Sequence, residues 1–333
     1  MIALVAPCIT NHDRHYMAQR IHNGLLETDT EVRKYEEAFA AAVGCAGAVA
    51  VCSGTTAIQL ALELIEHPTP LNIPTYACIA IRNAAPDNVT YLDSSFDVPT
   101  AQMALPLFDG DAIVPAMFGQ PTQIPVENDR GDSDANIVED WTLSLGGIPK
   151  LSEGRTGVSS THWSKMISTG RGGILFSNNQ NTLAQARHLA YYDTHTDHAL
   201  SVAMSSTQAA LGNSQLDQLQ AFIDRRQQIA SHYSQRFAAA GIECPNPDCG
   251  SVFFRYLIGT TNPADKVLDL AEQGIEAGRG VNPLLHQLAG LPDDDYHGAM
   301  TAWNTLLSIP CHPSLTDRQV TLISEQVLQT CAP

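Results

Sequence analysis

Three segments hold residues whose types and spacing could act together chemically. In Ser53-Gly-Thr-Thr56 the free amides of a helix start, with hydroxyls beside them, form a seat for an anion, although Ser and Thr also serve as ordinary amino-terminal caps. The segment lacks the Gly-Lys-Ser/Thr of a Walker loop, which argues against P-loop kinase chemistry. In Ile137-Val-Glu-Asp140 an apolar run ends in two carboxylates, a pattern that taken alone also fits a loop start or a helix cap. The stretch from Ser159 to Gly173 frames Lys165 with hydroxyl residues and a glycine turn. The chain has only four lysines, Lys34, Lys150, Lys165 and Lys266, so one in this setting is hard to dismiss as surface decoration.

These groups need a scaffold, and the hydrophobic pattern supplies one. Ala46–Cys52 reads as a buried strand that runs through the Ser53 turn into a helix carrying Ile58, Leu60, Ala61, Leu62, Leu64 and Ile65. Leu71–Pro74, Val89–Leu92, Ala112–Ala116, Ile137–Glu139 and Gly173–Ser177 are further strand candidates, and Asn181–Tyr191 is a helix candidate. Strands alternating with helices predict an α/β domain with a largely parallel sheet. Beyond Ser206 the pattern changes. Thr207–Phe237 has helical spacing with almost no breaker after Gly212, and it leads to a strand candidate at Val252–Ile258 and helix candidates at Pro263–Gly274 and Thr316–Thr330. Two units are therefore expected: a large α/β domain over 1–212, then a linking helix and a smaller α+β domain over 213–333.

An open α/β sheet gathers ligands at the carboxyl ends of its strands, where all three segments fall. Anion seat, strand-end carboxylate and lysine are the parts that pyridoxal phosphate needs. The lysine forms an imine with the aldehyde, the carboxylate keeps the ring nitrogen protonated so that the ring accepts carbanion electrons, and the helix start holds the phosphate.

Composition removes other classes. With 18 Lys plus Arg against 35 Asp plus Glu, a formal charge of −17, a surface that binds nucleic acid through phosphate neutralisation is not expected. No segment approaches the roughly 20 apolar residues of a membrane span, and the amino-terminal residues lack a basic region followed by a long apolar stretch, so a cytoplasmic protein is expected. The eight cysteines are read as reduced thiols. No metal is expected: Cys244 and Cys249 have poor zinc spacing, and His195 and His198 read as loop histidines.

The order of motifs resembles that of the DegT-type (DegT/StrS) sugar aminotransferases, pyridoxal-phosphate enzymes of aspartate aminotransferase fold. The similarity runs over nearly the whole length. Glu31-Val-Arg-Lys-Tyr-Glu36 resembles the family's opening helix, Ser53-Gly-Thr-Thr-Ala57 its phosphate turn, and the run from Pro74 to Asn83-Ala84 its Pro to Asn-Ala segment. Phe118-Gly-Gln120, Glu139-Asp140, Ser160 five residues before Lys165, and Thr169-Gly-Arg-Gly-Gly173 follow in order. Met204-Ser, Gln208–Gly212, Pro283-Leu-Leu-His286 and Leu306–Pro313 match the remaining blocks.

The resemblance implies a type I pyridoxal-phosphate fold in which Lys165 carries the cofactor and shuttles a proton, and Asp140 pairs with the pyridinium nitrogen. It implies that Gly54, Thr55 and Ser160 hold the phosphate. The implied reaction moves an amino group from an amino-acid donor, glutamate or glutamine, to a small carbonyl acceptor, a keto or aldehyde compound such as a sugar-derived intermediate. A lyase or dehydratase of the same fold, or a non-catalytic binder, is the alternative; retention of Lys165 favours catalysis. The family also implies a homodimer whose subunits share their active sites.

The departures are specific. Cys78 stands where relatives often place an aromatic ring over the cofactor, Leu143 where a polar residue reaches its phenolic oxygen, and Ala116 where a His precedes Tyr-Gly-Gln. Ser201 replaces the Asn that reaches the neighbouring subunit's phosphate. His162 and Trp163 either line the pocket or pack the turn, and Arg171 either meets an anion or is a solvated turn residue. His286 is a candidate for acceptor contact. The expected site thus comprises Lys165 and Asp140 as catalytic residues. Gly54, Thr55, Ser160, Cys78 and Ser201 are expected at the cofactor, and His286, His162 and Trp163 at the substrate. A divergent member of the family is the reading.

Overall fold

The computed structural model describes residues 1–24, 29–65, 70–125, 136–148, 150–191 and 200–332. The chain opens with helices α1 (Asn11–His22) and α2 (Thr30–Val43), followed by strand β1 (Gly47–Val51), α3 (Gly54–Glu63), β2 (Leu71–Pro74) and the short α4 (Ile79–Ala84). Five strands come next: β3 (Val89–Leu92), the hairpin β4 (Ser95–Asp97) and β5 (Gln102–Ala104), β6 (Ala112–Pro115) and β7 (Ile137–Asp140). A second hairpin, β8 (Thr156–Ser160) and β9 (Gly173–Ser177), leads into α5 (Gln180–Ala190), α6 (Ser206–Leu216) and α7 (Leu219–Ala239). The remainder is β10 (Tyr256–Gly259), α8 (Pro263–Glu272), α9 (Leu285–Leu288), α10 (His297–Thr305), β11 (Leu306–Ile309) and α11 (Asp317–Cys331).

Seven strands form one sheet in the order β1-β9-β8-β7-β6-β2-β3. All its pairings are parallel except the two made by β9, which runs against both β1 and β8. The strands are apolar on both faces because helices cover both, as parallel sheets require. On one side Tyr35, Phe39 and Val43 of α2 pack with Phe176 and Trp141; on the other Ile58, Leu60 and Leu62 of α3 pack with Val49, Ile73 and Leu175. A second core, around Tyr233, Phe237, Tyr256, Leu307 and Ile323, binds α7 and α11 to the antiparallel pair β10–β11.

The largely parallel α/β architecture matches the sequence reading, and it differs from that reading in local detail. The long helix expected from Thr207 to Phe237 is two helices. At the joint Gln215 and Gln218 donate to Asp13 of α1 at 2.9 and 3.0 Å, and Gln218 also accepts the Thr10 hydroxyl at 2.7 Å. The expected boundary residue Gly212 lies inside α6, where a side chain would collide with Tyr35. The strand candidate Val252–Ile258 is extended ladder only from Tyr256. Its first residues are held by side chains instead: Phe253 has φ 47°, its amide donates to Ser251 Oγ at 2.9 Å, and buried Arg226 donates to the carbonyls of Phe253 and Phe254. Strand β8 had no apolar signature because it is Thr-Gly-Val-Ser-Ser, and its Gly157 leaves room for the Phe176 ring. Strand β11 and helix α1 also lacked a reading, the latter because it is polar almost throughout. His195 and His198 lie outside the described residues.

Candidate active site

The carboxyl ends of β1, β2, β6, β7 and β8 and the beginning of β9 meet at one edge of the sheet, and the residues leaving them enclose a cavity of about 400 Å³. Ser53 leaves β1 in extended conformation and caps α3 by accepting the Thr56 amide at 3.1 Å. This turns the amides of Gly54 and Thr55, both on the cavity wall, into the start of the helix. Ser160, at the end of β8, stands so close to Gly54 that any side chain on Gly54 would strike it. Gly173 is under the same constraint from the Ser53 carbonyl and the Gly54 nitrogen. The two glycines therefore permit three strand ends to converge on one anion seat.

Alternation along β7 separates its two carboxylates. Glu139 accepts the Trp141 indole N–H at 2.8 Å and pairs with Arg155 at 2.9 Å. Asp140 lines the cavity, 7% exposed, with Oδ1 accepting the Thr142 amide at 2.9 Å. Burial raises its pKa above the usual carboxylate value, opposed by the hydrogen bonds from Thr142 and the charge of Lys165. Asp140 is the only carboxylate on the described wall of this cavity.

Lys165 rides on the loop that joins β8 to β9. That loop is fixed by reciprocal contacts: the Thr161 amide donates to the Gly172 carbonyl at 2.9 Å, the Thr169 amide to the Thr161 carbonyl at 2.9 Å, and the two threonine hydroxyls meet at 2.7 Å. Gln215 of α6 accepts the Ser168 amide at 3.0 Å. Burial holds the Lys165 amine below the ordinary lysine value; Cys78 and Asp140 oppose the shift, and Arg255 adds to it. Its Nζ lies 5.5 Å from the centre of the Phe254 ring.

The donor set fits pyridoxal phosphate. It offers an anion seat built from backbone amides and a hydroxyl, a buried carboxylate on the cavity wall, and an amine whose lowered basicity favours the nucleophilic form. Gly54, Thr55, Ser160, Cys78, Asp140, His162 and Lys165 all line this cavity. His162 hydrogen-bonds Ser164 through Nδ1 at 3.0 Å, and burial, with the charges of Lys165 and Arg171, lowers its pKa.

Two expected residues, Trp163 and His286, lie off this wall, and so does Ser201, whose expected contact is with the neighbouring subunit's phosphate. Trp163 is 44% exposed, its ring tilted against that of His162 at 5.4 Å, and it is outside the cavity wall. Ser201 is exposed, with φ 51°, and also lies off the wall. His286 is fully buried: Nδ1 meets the Thr75 hydroxyl at 2.5 Å, Nε2 meets Asp293 at 2.9 Å, and the ring stacks on Tyr296 at 4.1 Å. With both nitrogens engaged, it anchors the segment after Pro283 to the end of β2.

Sequence reasoning missed Phe254 and Arg255. They line a second cavity of about 640 Å³ that shares Cys78, Met117, Leu143 and Lys165 with the first. The available signal was Arg255 itself, a lone cation inside the apolar run Val252–Ile258.

The model of the DegT/DnrJ/EryC1/StrS aminotransferase family matches residues 7–85 and 111–328. The chain belongs to this family. The unmatched stretch between the two blocks carries β3 and the β4–β5 hairpin. Among curated relatives, the DegT-family chain is 25% identical to the GDP-perosamine synthase of Caulobacter vibrioides, with 96% of this chain and 95% of the relative covered. It is 24% identical to the spore coat polysaccharide biosynthesis protein SpsC of Bacillus subtilis, at the same coverage. Among solved structures, the aminotransferase TlmJ of Streptoalloteichus hindustanus superposes with a TM-score of 0.87 at 21% identity, over 99% of this chain and 98% of that one. PseC of Helicobacter pylori, an aminotransferase involved in the biosynthesis of pseudoaminic acid, gives 0.83 at 18% identity, with 99% of each chain covered. The DegT-family chain is thus a pyridoxal-phosphate aminotransferase of the expected fold, and its substrates are by class an amino donor and a carbonyl acceptor.

Proposed function

We propose that this enzyme moves an amino group from glutamate or glutamine to a keto or aldehyde carbon of a sugar-derived intermediate, with Lys165 and Asp140 as its catalytic residues. The observation that carries the assignment is the meeting of Lys165, Asp140 and the start of α3 on one cavity wall. Bound pyridoxal phosphate supplies an aldehyde that condenses with an amine and a ring that accepts carbanion electrons. Lys165 would hold the cofactor through Nζ and, when free, its Nζ would serve as the base and acid that moves the proton. Asp140, kept from water, holds a proton on the ring nitrogen as a charged partner. The amides of Gly54 and Thr55 and the Ser160 hydroxyl bind the phosphate and fix the ring's orientation.

The sugar-derived acceptor is supported by the similarity over nearly the whole length to a GDP-perosamine synthase. The cofactor belongs to the 1–212 unit in this reading, and 213–333 closes the substrate side. The working form is a homodimer with shared active sites. Support comes from three exposed apolar side chains beside the site segments, Ile79 at 49%, Trp163 at 44% and Leu200 at 53%. Among the described residues no helix is long and apolar enough to cross a membrane, and we place the enzyme in the cytoplasm.

Borohydride reduction of the cofactor-loaded protein, followed by peptide mapping, should put the label on Lys165, and glutamate should convert the cofactor spectrum with release of 2-oxoglutarate. A label on Lys34, Lys150 or Lys266 would defeat the assignment. Light scattering should give twice the chain mass; a cofactor-loaded monomer that turns over would refute the shared site.

A further inference from the structure

The loop that carries Lys165 leaves the sheet at Ser160 and returns at Gly173. Its base is closed by its own residues, Thr161, Thr169 and Gly172. Its crown is held from outside. Among the described residues, one hydrogen bond from another element reaches residues 164–168: the Ser168 amide donates to Gln215 Oε1 of α6 at 3.0 Å, and both residues are buried. The side-chain amide of Gln215 has a single workable orientation. Its Nε2 donates to Asp13 Oδ2 at 2.9 Å and to the Cys8 carbonyl at 3.0 Å. A flipped amide would set its oxygen against a carboxylate and a carbonyl, and its nitrogen against the Ser168 N–H.

Asp13 is itself fixed. It is almost fully buried, and it also accepts the Thr10 amide at 2.7 Å, the Ser214 hydroxyl at 2.7 Å and Gln218 Nε2 at 3.0 Å. Burial works to raise its pKa, but the hydrogen bonds from Thr10, Ser214 and Gln215 outweigh it and keep the carboxylate charged. The residues before Asp13 run beside Gly274 and the connection from β11 to α11. The Ile2 amide donates to the Gly274 carbonyl at 2.7 Å, His312 Nε2 meets the Ala3 carbonyl at 3.1 Å, and Ser314 donates to the Pro7 carbonyl at 3.1 Å. Gln215 thus joins this anchored run to the lysine loop.

Lys165 has two tasks in the proposed reaction, holding the cofactor and, when free, moving a proton. Its side chain must change partners while its main chain keeps its place. An anchor three residues away meets that need without entering the cavity, and neither Gln215 nor Asp13 is on the cavity's described wall. We propose that Gln215 is a positioning residue for Lys165: seated by Asp13 and the Cys8 carbonyl, it fixes the crown of the lysine loop through the Ser168 amide. This rests on the aminotransferase reading and extends it to residues outside the cavity.

Gln215→Met keeps the length of the side chain and removes its hydrogen bonds. Gln215→Glu keeps the acceptor for Ser168, and an acid buried against Asp13 takes up a proton that it can donate to Asp13. Both are loaded with pyridoxal phosphate to the parent's stoichiometry. In a single-turnover half-reaction with glutamate, the Met variant should react about 10- to 50-fold more slowly, with the glutamate concentration at half-maximal rate within about twofold. The Glu variant should recover most of the rate. In cofactor-free full-length protein, the pH profile of Lys165 carbamylation by cyanate, read by peptide mass, should move up toward the ordinary lysine range in the Met variant alone. Asp13→Asn, which leaves Gln215 in place with a neutral partner, should slow the half-reaction about 3- to 10-fold and decides the matter if the Met variant does not fold. Variants that melt lower yet keep the parent's rate and carbamylation profile overturn the proposal, as does a Glu variant as slow as the Met variant. A parent whose borohydride label does not sit on Lys165 fails the aminotransferase reading itself, before any variant is compared.

Discussion

Replacing Asp140 by Asn keeps the shape of the side chain and removes its charge. In the native protein the carboxylate is 7% exposed, is hydrogen-bonded by Thr142, and lies on the cavity wall. Water therefore cannot replace the lost charge, and a neutral amide cannot stabilise a protonated ring nitrogen. Loss of one preorganised, water-excluded electrostatic partner costs about 3–4 kcal/mol of transition-state stabilisation, or about 100- to 1,000-fold in rate. The assay is a single-turnover half-reaction with glutamate, followed by the cofactor's absorbance in protein loaded to the parent's stoichiometry. Stability should move the other way. Burial raises the folded pKa of Asp140, so the charged form costs the cofactor-free fold stability at every pH above that raised value, and none well below about 3.9. The cofactor-free Asn variant should melt higher than the parent at neutral pH, with the gap closing as acid protonates Asp140. A fully loaded variant that reacts within about tenfold of the parent rate would refute the electronic role.

Other outcomes follow from neighbouring residues. Burial lowers the folded pKa of Lys165, so its protonation penalises the folded state below that pKa and the penalty vanishes as pH rises to about 10.4. Urea unfolding of cofactor-free Lys165→Met should show its stability advantage over the parent at neutral pH and lose it in alkali. In Gly173→Ala the added methyl meets the backbone of Ser53 and Gly54; the fold should lose about 1–3 kcal/mol in denaturant titration, with weaker cofactor retention. His286→Ala breaks contacts to Thr75 and Asp293 and the stack on Tyr296, so it should lower the melting temperature by the equivalent of about 2–4 kcal/mol. Its effect on the acceptor KM should stay within about threefold, and a larger effect would return His286 to the substrate.

The cofactor cavity was legible in the sequence because its parts are local. A strand end, a cap and a glycine turn each carry their own residue signature, so Ser53–Thr56, Asp140 and Lys165 could be placed on one sheet edge without coordinates. What escaped was non-local. Strand β8 is made a strand by its neighbours β7 and β9, not by Thr156–Ser160 themselves. Phe254 and Arg255 reach the site only because Arg226 and Ser251 divert the chain ahead of β10. The block match to the family brought His286 forward as a substrate contact, whereas its ring nitrogens are committed to holding two segments together.

Phe254 has Lys165, from the β8–β9 loop, and Arg255 and Arg226, from outside the sheet, all within 6 Å of its ring centre. The low basicity of the amine therefore depends on the segment ahead of β10 as well as on its own loop. Letting water in between the two would restore an ordinary, sluggish ammonium. An ageing or heat-loosened preparation should therefore lose chemical competence before it loses its fold.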